Sequence, residues 1–539
     1  MRYLLASLAV IVTLLTAAHA QVEPELLWSF SGNGSLQAIA AIPDISGDGG
    51  PDIVFEGYEN GPSGVNHVFA IRGASPGAGE VIWSARPIGG ASSGGGYGDN
   101  CLRLGPDVNG DGTPDVLLGT AWGGRTAYAL NGSTGATLWS FDTYAQYGSS
   151  YSGWIYAMDS LGSDLTGDGV PEIVFCSGSY NDRVHCVNGA NGGLRWVVPG
   201  GDAYFDILSC QDIDADGIRD VVAALGDDAV SPRVVAYAGD DGHLLWQRPL
   251  TNAIWNLAFI SDITGDGIRE VVAAQWGTTL NCINGATGAI VWSVAHAAQQ
   301  RVAALDDVNG DGVSDIAVGF NTTRGCRVCS GLDGAQLWNT ATSDWVWAVD
   351  RIADVTEDGV NDVVAGDFDG YVYLLDGVTG AIFWSWRNPT TDKIMTIRGV
   401  PDLNGNGIPD VVAGTQLLYG GTGGDVYALE GNRDATAVPE EDALAAGLRV
   451  SPAWPNPARG PVTWSLAADV PGACRLLIFG PEGRCVRDLG AHDVTRGSVL
   501  PLTWDGRDAG GRPVAAGVYQ ARLMVGGRAV AERRAVVVR

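Results

Sequence analysis

The sequence predicts an all-β fold: an eight-bladed β-propeller closed by its own N-terminal strand, with a small β-sandwich after it. Three observations predict this, namely an acidic nine-residue loop that occurs eight times, a tryptophan that recurs in step with it, and a change of pattern after residue 432. The loop reads Asp-x-[Asp/Asn/Ser/Thr]-x-[Asp/Asn]-Gly-x-x-[Asp/Glu] and starts at Asp44, Asp107, Asp164, Asp212, Asp262, Asp307, Asp354 and Asp402. Successive starts lie 63, 57, 48, 50, 45, 47 and 48 residues apart, which is the length of a four-stranded blade and too long for a leucine-rich or ankyrin unit.

One repeat, from Trp255 to Trp292, has no insertion and serves for all. Trp255 to Ile260 alternates in polarity, as an innermost strand does, and Asp262 to Glu270 is the acidic loop. Val271 to Trp276 is an unbroken apolar run, suited to a strand covered on both faces. Leu280 to Gly285 is the third strand, Ala286-Thr-Gly288 turns the chain, and Ala289 to Ser293 is the outer strand around Trp292.

The outer-strand tryptophan recurs at Trp83, Trp139, Trp196, Trp246, Trp292, Trp338 and Trp384. An eighth copy, Trp28, stands near the N-terminus with no blade before it, whereas the last blade ends at Val426 to Gly431 with no tryptophan strand after it. The N-terminal strand is therefore expected to complete the last blade and remove the open sheet edge that would invite aggregation.

Composition narrows the class. The 539 residues carry a formal net charge of -29, which argues against nucleic acid as a partner. Of the 61 Asp and Glu, 24 stand at the first, third, fifth and ninth loop positions, so the acidity is concentrated where a cation would sit. Residues 1–20 read as a secretory leader: Arg2, an apolar run from Leu4 to Leu15, and Ala18-His19-Ala20 as the cleavage site. The protein is expected to be secreted or held at a bacterial cell surface. No later segment has the ~20 apolar residues of a membrane span. The nine cysteines lack zinc-site spacing; most read as small buried residues, and Cys176 and Cys186 flank a hairpin that could carry a bridge.

The loops fit a hard cation. Ca²⁺ takes six to eight oxygens at roughly 2.3–2.6 Å, and alternate side chains converge on one point if the chain then turns sharply. Glycine at the sixth position supplies that turn in all eight copies. The candidate ligands are Asp44, Ser46, Asp48 and Asp52; Asp107, Asn109, Asp111 and Asp115; Asp164, Thr166, Asp168 and Glu172; and Asp212, Asp214, Asp216 and Asp220. The later loops add Asp262, Thr264, Asp266 and Glu270; Asp307, Asn309, Asp311 and Asp315; Asp354, Thr356, Asp358 and Asp362; and Asp402, Asn404, Asn406 and Asp410. Up to eight structural Ca²⁺ ions are expected. The four carboxylates of the fourth loop should bind tightest and the two of the eighth weakest; without metal, the same residues make Asx turns.

The Gly-x-Thr-Gly-x-x-x-Trp turns resemble the repeats of pyrroloquinoline-quinone-type eight-bladed propellers. The acidic loops are similar to the calcium loops of integrin-α and FG-GAP-like bacterial propellers. The resemblance covers residues 21–432 and implies the propeller scaffold and calcium. It departs from the quinoproteins in one respect: no two cysteines are adjacent, so no quinone site is expected.

If the acidic loops join first to second strands, they share one face of the ring, and the opposite face gathers aromatics at the starts of the innermost strands. Trp154, Tyr204, Asp206, Trp255, Trp345 and Trp347 are the candidate ligand face, with Tyr97, Tyr144, Tyr147, Tyr151, Tyr156, Phe205 and Asp344 nearby. Such surfaces suit a glycan or a protein ligand, although packing within the blades also uses aromatics. Beyond the leader there are five scattered histidines and the single lysine Lys393, which excludes a phosphate-loop lysine motif. The expectation is therefore a non-catalytic recognition or adhesion module. The alternatives are a calcium-dependent lyase, through resemblance to rhamnogalacturonan lyases, and a purely structural matrix component.

Residues 433–448 read as a linker, and 449–539 as an immunoglobulin-like domain with strands at Pro461 to Leu466, Cys474 to Phe479, Val499 to Trp504 and Val518 to Leu523. Pro455-Asn-Pro457, Trp504-Asp-Gly-Arg-Asp508 and Gly517-Val-Tyr519 resemble the flagellar-hook-cap immunoglobulin-like domain and type IX secretion sorting domains. That resemblance implies contact with secretion or surface-attachment machinery, although the chain ends Ala535-Val-Val-Val-Arg539 where sorting domains often finish in lysine.

Overall fold

The computed structural model describes residues 23–32, 34–58, 67–75, 77–87, 99–121, 124–148, 153–179, 182–226, 232–277, 279–295, 299–320, 324–356, 358–416, 424–431, 448–450, 458–468, 472–480, 485–495, 499–525 and 528–537. The leader, the linker before Leu448, Tyr97 and Tyr151 lie outside the described residues. The chain divides into two compact units, Met1–Asn432 and Arg433–Arg539.

The first unit is a ring of eight antiparallel sheets. Blades 1 to 7 span 35–85, 102–142, 154–199, 204–249, 254–295, 299–340 and 346–387; blade 8 takes 393–429 and, as its fourth strand, Leu26–Ser31. That N-terminal strand pairs antiparallel with Asp425–Leu429 and sets Trp28 opposite Ala428, as expected from the sequence. A two-residue strand, Gly77–Ala78, adds to its outer edge in parallel. The innermost strands abut one another in sequence order, and Lys393–Val400 lies against Ser35–Ile42, so the ring is shut.

Two features of the repeat hold neighbouring blades together. The indole nitrogens of Trp83, Trp139, Trp196, Trp246, Trp292, Trp338 and Trp384 donate to the carbonyls of Gly132, Gly189, Gly239, Gly285, Gly331, Gly377 and Gly431 at 2.6–2.8 Å, each on the following blade. All seven rings are buried, so each bond completes a large apolar contact. The turn after each acceptor must also admit the ring. A Cβ on Gly135, which sits at φ +70°, would lie 2.4 Å from the Trp83 ring, so only glycine fits.

Every acidic loop joins the first strand of a blade to its second, which places all eight on one face. In seven blades the first strand carries a bulge at the same place, leaving Gln37, Tyr156, Phe205, Trp255, Gln300, Trp347 and Met395 as the unmatched residues. A short helix, Thr143–Tyr147, capped by the Asp142 carboxylate, follows blade 2 and was not foreseen.

The second unit has two antiparallel sheets. One contains Leu448–Val450, Val462–Ala468 and Val499–Trp504; the other contains Cys485–Val494, Gly472–Phe479, Gly517–Val525 and Arg528–Val537. Trp464, Trp504, Leu476, Ile478, Tyr519 and Leu523 fill one core between them. The suggested Cys176–Cys186 bridge is not formed: all nine cysteines are free thiols, eight of them buried. Cys176 pairs across the hairpin with Val184 and Cys186 with Val174, so the two thiols are not cross-strand partners.

Candidate functional site

The eight loops share one conformation, written by their side chains on their own backbone. The Asp at position 1 accepts the N–H of the position-6 glycine at 2.5–2.8 Å in every loop. The position-5 side chain accepts the N–H of position 7 in every loop, at 2.7–3.0 Å. These bonds hold the position-1 carboxyls of Asp44, Asp164 and Asp307 below the usual carboxylate range. Position 4 is also left-handed, at Gly47, Gly110, Gly167, Ala215, Gly265, Gly310 and Gly405. The sequence motif had left that position open, although its recurrent glycine was there to be read.

The ninth-position acids, expected to close the cage, are tied to the backbone of the blade. Asp52, Asp115, Glu172, Asp220, Glu270, Asp315, Asp362 and Asp410 are completely buried. Each accepts the N–H of position 2 of its own loop at 2.6–3.1 Å. The six aspartates among them also accept the N–H of the tryptophan-acceptor glycine in the same blade. These carboxylates brace the loop against the blade. Burial pushes Asp220, Asp315 and Asp362 up to about 6 and Asp410 to about 8.

The outer positions are more open. Carboxylate oxygens of Asp212, Asp214 and Asp216 in the fourth loop all lie within 4.8 Å of one another, the donor set of a hard, oxygen-seeking cation. Further groups reach the loops from the end of the third strand. The side-chain amides of Asn131, Asn188 and Asn284 donate to the position-5 carboxylates Asp111, Asp168 and Asp266 at 2.5–2.6 Å. Glu430 accepts from Asn404 and Asn406, giving the eighth loop a third carboxylate that the nine-residue motif does not contain. His243 stands 3.9 Å from Asp214.

The opposite ends of the innermost strands carry the aromatics. Tyr156, Phe205 and Trp255, the bulge residues of three consecutive blades, form a row: Tyr156 meets Phe205 edge-on at 5.0 Å between centroids, and Phe205 stacks on Trp255 at 4.5 Å. Trp154 extends the row at one end and Trp276 at the other. A second group joins Trp345 and Trp347 to Phe368, with the Lys393 ammonium 3.9 Å from the Phe368 centroid. Trp276 and Trp345 are 47% and 42% exposed. Two expected members are elsewhere. Tyr204 is buried and bonds the Tyr237 hydroxyl at 2.8 Å, and Asp206 is buried among Asn100, Asn256 and the Leu257 N–H. The reason is the bulge, which shifts the facing of the strand by one residue and turns Phe205 instead of Tyr204 toward the row. Trp276 was missed because it reads as the last residue of an apolar strand.

Fold and sites together define an eight-bladed β-propeller with one acidic loop per blade and an aromatic end opposite the loops. The chain belongs to the PQQ-type β-propeller family described as outer membrane protein assembly factor BamB, which matches residues 69–274 and 123–386. Among solved structures it is similar to Saccharomyces cerevisiae Sqt1, with 13% identity, TM-score 0.56, and coverage of 76% of this chain and 99% of that one. It is also similar to the quinohemoprotein alcohol dehydrogenase of Comamonas testosteroni, with 11% identity, TM-score 0.54, and coverage of 80% and 82%. At these identities the likeness is one of fold. No curated protein matches in sequence.

Proposed function

We propose that this protein is an exported, calcium-stabilised propeller that binds an extracellular glycan or protein at its aromatic end and performs no chemistry of its own. The observation that carries the reading is the row of bulge aromatics. Bulges re-aim side chains, and three consecutive blades use theirs to bring Tyr156 edge-on to Phe205 and Phe205 face-on to Trp255, between Trp154 and Trp276. A tilted aromatic row whose Tyr156 and Phe205 rings are buried and whose end ring Trp276 is exposed suits the apolar face of a sugar ring or an aromatic side chain docking at that end. Calcium enters the reading through eight oxygen-only loops, with Asp212, Asp214 and Asp216 as the best converged set. The second unit fits an immunoglobulin-like attachment or sorting domain: the Tyr519 hydroxyl bonds the Ala515 carbonyl four residues upstream, as in a tyrosine corner.

The test is a glycan and peptide array with the full-length protein in calcium, repeated with Trp276→Ala and Trp345→Ala. Saturable binding that falls at least about tenfold in a variant with unchanged melting temperature is the expected result. Release of unsaturated ends from pectic glycans would replace the binding reading with a lyase. No bound ligand and no such product would leave a scaffold.

A further inference from the structure

The axis of the ring holds a cavity of about 170 Å³ whose wall is cationic in a chain of formal net charge -29. Arg103 of blade 2, Arg301 of blade 6, and Arg351 and Arg398 of blades 7 and 8 line it, and Asp350 is the one carboxylate in the wall. Blades 2 and 6 stand across an eight-membered ring from each other, so these side chains enclose the axis.

The neighbouring acids do not cancel this charge evenly. Asp159 lies 3.6 Å from Arg103, and Asp306 lies 3.7 Å from the exposed Arg351 at the mouth. Asp206, buried behind the wall, accepts from Asn100, Asn256, the Leu257 N–H and the Ile207 N–H. Asn256 in turn accepts the Val302 N–H at 3.0 Å. The wall between Asn100 and Val302 is therefore a fixed polar network. Arg301 stands at its rim, partly buried, with its charge acting on the Asp206 carboxylate behind the wall. Its guanidinium is matched by an oxyanion, which the planar fork grips at two oxygens.

We infer that the axial cavity is a binding site for one small oxyanion of at least two negative charges, held by Arg301 and Arg398 with Arg103 facing them. The volume is room for about six waters at ~30 Å³ each, which admits a phosphate or a short dicarboxylate. The site is separate from the acidic loops and from the aromatic row, and does not depend on the function proposed for either.

Calorimetric titration of the full-length protein with inorganic phosphate and with succinate tests it, the two arms telling phosphate from carboxylate. The expected result is saturable binding of one ion per chain for at least one probe. Arg301→Gln and Arg398→Gln should each weaken it by about tenfold or more, and Arg301→Lys, which keeps the charge but loses the fork, should lie between. Heat from either probe drawing on loop-bound calcium persists in Arg301→Gln and is subtracted. Absence of saturable heat with both probes, or equal affinity in folded Arg301→Gln and Arg398→Gln, overturns the inference.

Discussion

The indole of Trp28 donates a 2.8 Å hydrogen bond to the carbonyl of Gly73, tying the N-terminal strand of the last blade to the first blade. The N–H of the same glycine donates to the ninth-position acid Asp52 at 2.9 Å, so one residue links the closing strand to an acidic loop. Glycine is required there, since a Cβ would come within 1.9 Å of the Pro51 carbonyl oxygen. The same glycine relay, from a tryptophan on one blade to a ninth-position aspartate on the next, recurs at Gly132, Gly239, Gly331, Gly377 and Gly431. Loop geometry and blade-to-blade packing are thus coupled around most of the ring.

Trp28→Ala is expected to cost about 3–5 kcal/mol, the range for truncating a buried aromatic. The indole is wholly buried and belongs to the core shared by the last and first blades. Urea unfolding measures the loss. Light scattering should rise as well, because releasing Leu26–Ser31 frees the edge of Asp425–Leu429. Unchanged stability would mean that the ring does not depend on this closure.

Chelation should lower the melting temperature substantially, because a ligand that prefers the folded state adds about 2.7 kcal/mol per site at 100 times its Kd. Elemental analysis after dialysis is expected to find about six to eight calcium ions per chain. Asp214→Ala should remove one of them. Glu430→Gln should weaken the eighth loop, whose amides it orients. Near-zero calcium with unchanged melting would reduce the loops to turns.

Much of the propeller is legible in the sequence because the repeat is in register. Eight tryptophans and eight loops count the blades, and the unpaired Trp28 announces the closure. What the pattern could not show are displacements smaller than its period. The bulge beside Trp255 leaves the alternation of Trp255 to Ile260 nearly intact while turning the strand, and for that reason Tyr204 was placed on the surface that Phe205 serves. Nor does a nine-residue motif reach groups supplied from elsewhere in the blade, such as Glu430 and Asn188. The spacing of the ninth-position acids suits a cage; their complete burial against backbone N–H groups is a tertiary fact that spacing does not show.

Native alkylation with iodoacetamide should label one thiol. Cys485 is exposed, whereas the other eight are buried, and burial pushes Cys210, Cys326 and Cys329 up to about 12, far from the reactive thiolate. Mass spectrometry of native and denatured samples is expected to give one adduct and nine. Labelling of Cys176 or Cys186 in the native protein would contradict the packing of blade 3.

Acid should destabilise the protein through His185. The ring is fully buried and stacked 4.5 Å from Phe175, and among the described residues neither nitrogen makes a hydrogen bond of good geometry, with the Phe175 backbone as a weak polar neighbour. Burial, helped by the charge of Arg183 and opposed by the Phe175 backbone, pushes its pKa down to about 3. The unfolded chain takes up this proton near pH 6.5 while the folded one refuses it until about pH 3. The stability is therefore full above pH 6.5 and falls with pH, by roughly 1.4 kcal/mol per unit for this one group. Buried ninth-position acids such as Asp410 act in the opposite sense, since their folded pKa is raised, so the wild-type curve alone mixes the two. His185→Phe isolates the histidine: it keeps the stack and removes both ring nitrogens. Its stability should equal or exceed wild type at pH 7, and the gap should widen toward pH 4.5 in urea titrations. A gap that stays constant between those pH values would mean that His185 is protonated or hydrated in the native state.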